Sequence, residues 1–214
     1  MIMGESGTGK STSMHNLNPE SALLIQAVKK PLPFRSKEWK PLTNDNPEGS
    51  LLFFDSFTRI INTINGAANL GKEIVVIDDF QYVLANEFMR RSAEKGFDKF
   101  TEIAKHAWEI ILAAQNAPGN IRVYFLTHTE NIDGRIKAKT IGKMLDEKIT
   151  LEGLFTIVLK TVVTDEGYFF STQNNGSDTV KSPMGLFEKD RIENDLAMID
   201  NEIKDYYGIE EQAA

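Results

Sequence analysis

The sequence predicts an α/β fold: a mostly parallel central sheet flanked by helices, with a C-terminal antiparallel hairpin and a terminal helix. Three observations predict it. Gly4-Glu5-Ser6-Gly7-Thr8-Gly9-Lys10-Ser11 fits G-x-x-x-x-G-K-[ST] at every fixed position, and that loop joins a strand to a helix. The run Glu73 to Asp79 (EIVVIDD) is continuously apolar and ends in paired acids, as expected of a central parallel strand buried on both faces. Ile121 to Leu126 (IRVYFL) repeats the pattern and ends in Thr127-His128-Thr129.

Composition bounds the answer. At 214 residues and 41% hydrophobic content the chain can bury one sizeable core and is too short for two full α/β domains. There are no cysteines, so disulfides and thiolate metal sites are excluded, and the three histidines are too scattered for a metal cluster. No run approaches membrane-spanning length and no signal peptide is visible, so a soluble, cytoplasmic protein is expected. The net charge is −7, and nine acids against three bases from Glu188 onward carry most of it. Residues 1–187 are therefore nearly neutral and form the expected main domain, with 188–214 as an acidic C-terminal helix and tail.

In chain order, only Met1, Ile2 and Met3 precede the loop, so the first strand reads as truncated and an upstream segment as missing. Lys10 to Leu17 should form the first helix, stopped by Asn18-Pro19. Ser21 to Val28 reads as a buried strand. In Lys29 to Lys40 prolines forbid a helix, and five bases, Arg35 and Lys37 among them, surround Phe34 and Trp39. Cations interleaved with aromatics suit a single nucleic-acid strand; an ordinary loop with Trp39 packed inward is the equal alternative. Leu51 to Phe54 is a short strand, and Ser56 to Leu70 a helix with Phe57, Ile60, Ile61 and Ile64 on one stripe.

Phe97 to Ala117 is a long amphipathic helix, with Arg90-Arg91 before it as a surface face or subunit contact. Within Asn131 to Lys143 an extended chain would point Arg135, Lys137 and Lys139 to one side, where they could grip DNA phosphates, reach a neighbouring subunit's site or simply be solvated. Leu154 to Val163 and Tyr168 to Gln173 flank Asp165-Glu166-Gly167 as a hairpin, and 174–183 is a polar loop. The last helix carries Ile192, Leu196, Ile199, Ile203 and Tyr206 on one stripe.

The loop is a nucleotide-phosphate motif. Its glycines let backbone N–H groups approach phosphate oxygens, the following helix adds its positive end, and Lys10 reaches the β- and γ-phosphates. Gly4, Glu5, Ser6, Gly7, Thr8, Gly9, Lys10, Ser11 and Thr12 are thus the expected nucleotide-binding residues, for ATP. Mg²⁺ would be held by Ser11 and Asp78, since strand-end acids of phosphate-loop enzymes hold that ion. Asp79 is the candidate for polarising the attacking water, with a helix cap as its alternative role. His128 and Thr127 reach the same edge and can sense a γ-phosphate by hydrogen bonding, a structural histidine being equally compatible.

With the loop (a Walker A motif), the VVIDD strand (Walker B) and FLTHTE placed, the chain resembles the RecA-like, phage-encoded ATP-binding proteins that accompany recombination and single-strand annealing. The likeness includes Lys139 to Lys148 and Leu151 to Leu159, and spans most of residues 4–163. It implies a RecA-like P-loop NTPase fold and Mg²⁺-dependent ATP hydrolysis coupled to single-stranded DNA binding. It also implies a single-strand binding protein as partner, assembly into filaments or rings and, for a phage protein, location in the host cytoplasm. It places γ-phosphate sensing on His128 and makes Lys137 and Lys139 similar to cations inserted into an adjacent subunit's site.

One departure stands out. RecA-type enzymes carry a catalytic glutamate after the strand that follows the first helix, and this chain has Gln26, whose amide does not titrate. Asp79, Glu5 or Asp55 must substitute, or hydrolysis is slow and ATP acts as a switch. Two other classes therefore stand beside the ATPase: a nucleotide or small-molecule kinase, which needs an arginine-rich lid absent from these basic loops, and a non-hydrolysing ATP-gated adaptor.

Overall fold

A computed structural model describes residues 1–142, 145 and 148–210. Among them nine strands join in one sheet: β1 (Ile2–Gly4), β2 (Ala22–Gln26), β3 (Leu51–Phe53), β4 (Ile74–Asp78), β5 (Arg122–Ile132), β6 (Arg135–Ala138), β7 (Leu159–Thr164), β8 (Gly167–Ser171) and β9 (Arg191–Glu193). Their order is β3-β2-β4-β5-β1-β7-β8-β9, parallel from β3 to β7 and antiparallel through β8 and β9. The expected mixed α/β architecture, with its parallel centre and C-terminal antiparallel hairpin, is the one observed. β5 lies between the loop-bearing β1 and the acid-tipped β4, and it is this order that brings together the three strand ends carrying the expected site residues.

Strand alternation splits the core in two. On one face Leu23, Ile25, Val75, Ile77 and Phe125 pack against α1 (Phe57–Gly66), α2 (Phe80–Arg90) and α3 (Asp98–Gln115). On the other Leu24, Val76, Tyr124 and Leu126 pack against Met14, Leu17, Trp39 and α4 (Leu196–Tyr207). Both faces of β2 and β4 are covered, which is why these strands read as unbroken apolar runs. Helix α4 starts at Asp195, whose Oδ1 accepts the N–H groups of Ala197 and Met198 at 2.8 and 3.3 Å. Such a cap is worth about 1 kcal/mol.

Several expectations are corrected. The helix expected over Lys10 to Leu17 is a five-residue 3₁₀ turn, Thr12–Asn16. The segment Thr-Ser-Met-His-Asn has weak helix formers, and the Ser13 hydroxyl donates to the Lys10 carbonyl at 2.6 Å, diverting an acceptor that an α-helix needs. β5 does not stop at Leu126 but runs on to Ile132, where it folds back on β6 through Asp133-Gly134, both at positive φ. Ile192 lies in β9, opposite Phe170, rather than in the last helix. The loop 174–183 is not wholly polar-exposed, since Asp178 and Val180 are buried and Val180 joins the core. Within the segment Lys139 to Lys148, Lys143, Met144, Asp146 and Glu147 lie outside the described residues, as do 211–214 of the acidic tail.

Candidate phosphate-binding site

The loop leaves β1 at the carboxyl edge of the sheet and turns back through Gly7 and Gly9, at φ +79° and +98°, where a side chain would be strained. At Gly4 the constraint is space. A Cβ there would lie 1.8 Å from the Thr161 hydroxyl of β7, so only glycine lets the strand pass. Thr8 braces the loop by donating to the Glu5 carbonyl at 2.8 Å and meeting Thr161 Oγ1 at 2.6 Å. Lys10 lies folded across the loop with Nζ donating to the carbonyls of Gly4 and Glu5 at 2.9 and 2.7 Å. Burial lowers its pKa from 10.5 to about 8, partly offset by Asp79 and Asp78. Behind the loop stands only the 3₁₀ turn Thr12–Asn16, in place of the helix expected over Lys10 to Leu17.

Asp78 ends β4 and is 1% exposed. Ser11 Oγ donates to it, 2.9 Å from Oδ1 and 3.0 Å from Oδ2. Burial, reinforced by the charge of Asp79, raises the Asp78 pKa to about 6 despite that hydrogen bond. The next residue breaks the strand. Asp79 sits at φ 61°, ψ 45°, left-handed and unusual for a non-glycine residue, at the N-cap position of α2 but without a capping hydrogen bond. Its carboxylate instead pairs with Lys30 and lies 3.4 Å from His128 Nε2. Burial pushes the Asp79 pKa up, but the hydrogen bonds from His128 and Lys30 outweigh it and the group is held below the usual carboxylate range. Its partner shifts accordingly: desolvation of Lys30 is overcome by Asp79, and the Lys30 pKa is raised.

His128 stands level with Gly4 across the β1–β5 ladder, and its N–H donates to Gln81 Oε1 at 3.2 Å. Thr127 Oγ1 approaches the same oxygen at 3.4 Å. Gln26 pairs in register with Asp78 on the adjacent strand, so both side chains stand on one face of the sheet. Gln26 is 2% exposed and neither Oε1 nor Nε2 has a hydrogen-bond partner. Leaving such groups unsatisfied costs about 1 to 3 kcal/mol each.

Beside these groups lies a cleft of about 420 Å³ whose walls are the loop on one side, Lys30, Pro31 and Pro33 on another, and Asp79, His128 and Tyr168 on the rest. Lys10, Ser11, Asp78, Asp79 and His128, from three stretches of sequence, thus meet at one edge. Arg35, Lys37, Arg135 and Lys139 do not line the cleft and are exposed, while Lys137 lies 3.4 Å from Glu130 across the β5–β6 pair. Trp39 is 7% exposed and packed in the core, so of the two readings of Lys29 to Lys40 the inward-packed tryptophan is the one observed. Sequence reasoning missed Lys30, Gln81, Thr161 and Tyr168. Lys30 alone had a local signal, a cation four residues beyond the β2 strand end and directly before a proline.

Among the described residues no group of three or more His, Cys, Asp or Glu could hold a metal ion by itself. Ser11 and Asp78 nevertheless suit Mg²⁺, which takes one or two protein oxygens and completes its shell with water and substrate phosphates. No helix among the described residues is long and apolar enough to cross a membrane.

No protein-family model matches the chain, and no curated protein matches it in sequence. Among solved structures, the chain is similar to a KaiC-like protein from the hyperthermophilic archaeon Pyrococcus horikoshii OT3, with 11% identity and a TM-score of 0.42, covering 79% of this chain and 74% of that one.

Proposed function

We propose that the chain is a P-loop NTPase that binds ATP with Mg²⁺ at the β1 loop and hydrolyses it slowly. The observation that carries this reading is the pairing of Ser11 with Asp78, the Ser11 hydroxyl donating to the carboxylate at the end of β4 beside the loop that holds Lys10. The loop N–H groups and Lys10 would hold the phosphates, and Lys10 would exchange its two backbone carbonyls for phosphate oxygens. Ser11 and Asp78 would hold the magnesium ion, which when bound neutralises phosphate charge. His128, whose backbone N–H donates to Gln81, would hydrogen-bond a terminal phosphate. Asp79 anchors Lys30 and His128; once a phosphate competes for Lys30, the carboxylate becomes able to orient water.

Turnover of ATP by purified protein, with Mg²⁺ and with a Lys10→Ala control, tests this. Turnover that vanishes in the control is expected. A second reading, an ATP-gated adaptor, is favoured by Gln26, which cannot act as a base, and by the pairing of Asp79. ATP binding that depends on Lys10 without turnover would select it; transfer to an offered nucleotide acceptor would select the kinase.

The proposal extends to single-stranded DNA as effector, with a single-strand binding protein beside it and self-assembly into filaments or rings. Exposed Arg35, Lys37, Arg135 and Lys139 support the DNA part, while the buried Trp39 removes one expected stacking platform. Neutralising Arg35 with Lys37, and Lys137 with Lys139, should weaken DNA binding; unchanged affinity in both variants would overturn it.

A further inference from the structure

The cleft continues past the phosphate loop onto a surface that no part of the phosphate chemistry uses. Tyr168, the second residue of β8 after the hairpin turn, is 53% exposed and forms one wall of the cleft. Its ring edge and the amide of Asn194 both crowd Gly9: a Cβ built there would meet Tyr168 Cδ1 at 3.1 Å and Asn194 Oδ1 and Nδ2 at 3.1 and 3.2 Å. Asn194 lies between β9 and α4, and its Nδ2 is buried without a hydrogen-bond partner. The neighbouring Asp195 is fixed by its cap and accepts from Asn16 Nδ2 at 2.6 Å, tying this corner to the 3₁₀ turn that follows the loop. An exposed aromatic ring that lines the cleft and an unspent, buried amide donor therefore stand together beside Gly9.

We infer that Tyr168 and Asn194 form the nucleoside subsite of the cleft: the base stacks on the Tyr168 ring and Asn194 Nδ2 donates to an acceptor of the nucleoside. The inference rests on the reading of the cleft as a nucleotide site. Ring stacking is tolerant of base identity but grows with overlap, so purine triphosphates bind more tightly than pyrimidine ones. The antiparallel extension of the sheet thereby gains a role, since β8 and the β9–α4 junction supply both groups.

The test compares ATP with inorganic tripolyphosphate, which shares the phosphates and lacks the nucleoside, by titration calorimetry on the whole chain. Tyr168→Ala should weaken ATP about tenfold and leave tripolyphosphate unchanged. Tyr168→Phe should retain ATP affinity because the ring remains, and Asn194→Ala should weaken ATP alone. Tyr168 is half-exposed, so folding of the variants is expected and is checked by thermal melts; retained tripolyphosphate binding is a second check. ATP affinity unaffected by both Tyr168→Ala and Asn194→Ala, while Lys10→Ala abolishes it, overturns the subsite and leaves the nucleotide reading intact. Equal loss of ATP and tripolyphosphate in Tyr168→Ala also overturns the subsite, assigning the residue to the shape of the loop. If Lys10→Ala changes neither ligand, the nucleotide reading itself falls.

Discussion

The two ends of the same central strands bury polar groups in opposite ways. At the amino end of β5, Arg122 donates to both carboxylate oxygens of Asp200 on α4, at 2.6 and 2.9 Å, and to Glu73 at 3.1 Å, while Tyr124 donates its hydroxyl to Asp200 at 2.6 Å. Every charge there has a partner. Burial, then the charge of Asp200, raises the Tyr124 pKa well above its ordinary value, keeping the hydroxyl protonated as donor. At the carboxyl end, Gln26 has no partner, Asp78 has a raised pKa, and Asp79 sits in a left-handed backbone. One cluster is finished by folding and staples α4 to the sheet; the other is left incomplete, as expected of groups whose partners arrive with a ligand.

The comparison can be broken at its structural end first. Asp200→Ala leaves Arg122 buried and uncompensated and should destabilise the protein by about 3 kcal/mol in denaturant titration, without altering ATP affinity in the folded fraction. A loss below ~1 kcal/mol would mean that the network does not hold α4.

At the carboxyl end the sign reverses. Because the folded Asp78 pKa is raised to about 6, the folded state binds its proton more tightly than the unfolded chain does. The penalty is absent below the unfolded value near 3.8, grows through pH 4 to 6 and is complete above. Asp78→Asn should therefore stabilise the metal-free protein by roughly 2 kcal/mol at pH 8 and by much less at pH 4, while abolishing turnover. Equal effects at both pH values would show that the penalty is not electrostatic.

Gln26→Met removes two unpartnered amide atoms at nearly constant volume and should stabilise by about 1 kcal/mol in denaturant titration. Destabilisation would place Gln26 with the finished cluster instead. The smallest effect concerns pH and binding. Lys10 in the free protein loses its proton above about pH 8, and phosphate favours the charged form, so ATP affinity should decline gradually as pH rises past 8. Calorimetry in buffers of different ionisation enthalpy should register proton uptake there; none is expected in Lys10→Ala.

Much of this was legible in one dimension. The loop motif, the EIVVIDD and IRVYFL runs and the 165–167 turn are contiguous patterns whose meaning depends on residue type and spacing, and they placed β1, β4, β5 and the β7–β8 hairpin close to where they lie. The motif alone predicts a first helix, but the weak propensity of Thr12–Asn16 yields only a 3₁₀ turn. The sequence of 29–40 fits two readings equally, because burial of Trp39 depends on what covers that face of the sheet.

What the sequence by itself determined, then, is the chemistry of the edge: glycines that permit the loop, a lysine and serine within it, and acids at a strand end. Tertiary structure alone decided who meets whom. The insertion of β5 between β1 and β4 set His128 beside Asp79, the end of β2 swung Lys30 onto that carboxylate, and residues as far apart as Asn16 and Asp195, separated by 179 positions, came into contact. The reason is physical. Propensity and periodicity report interactions over a few residues, whereas these contacts follow from strand order and sheet packing, which a contiguous pattern does not encode.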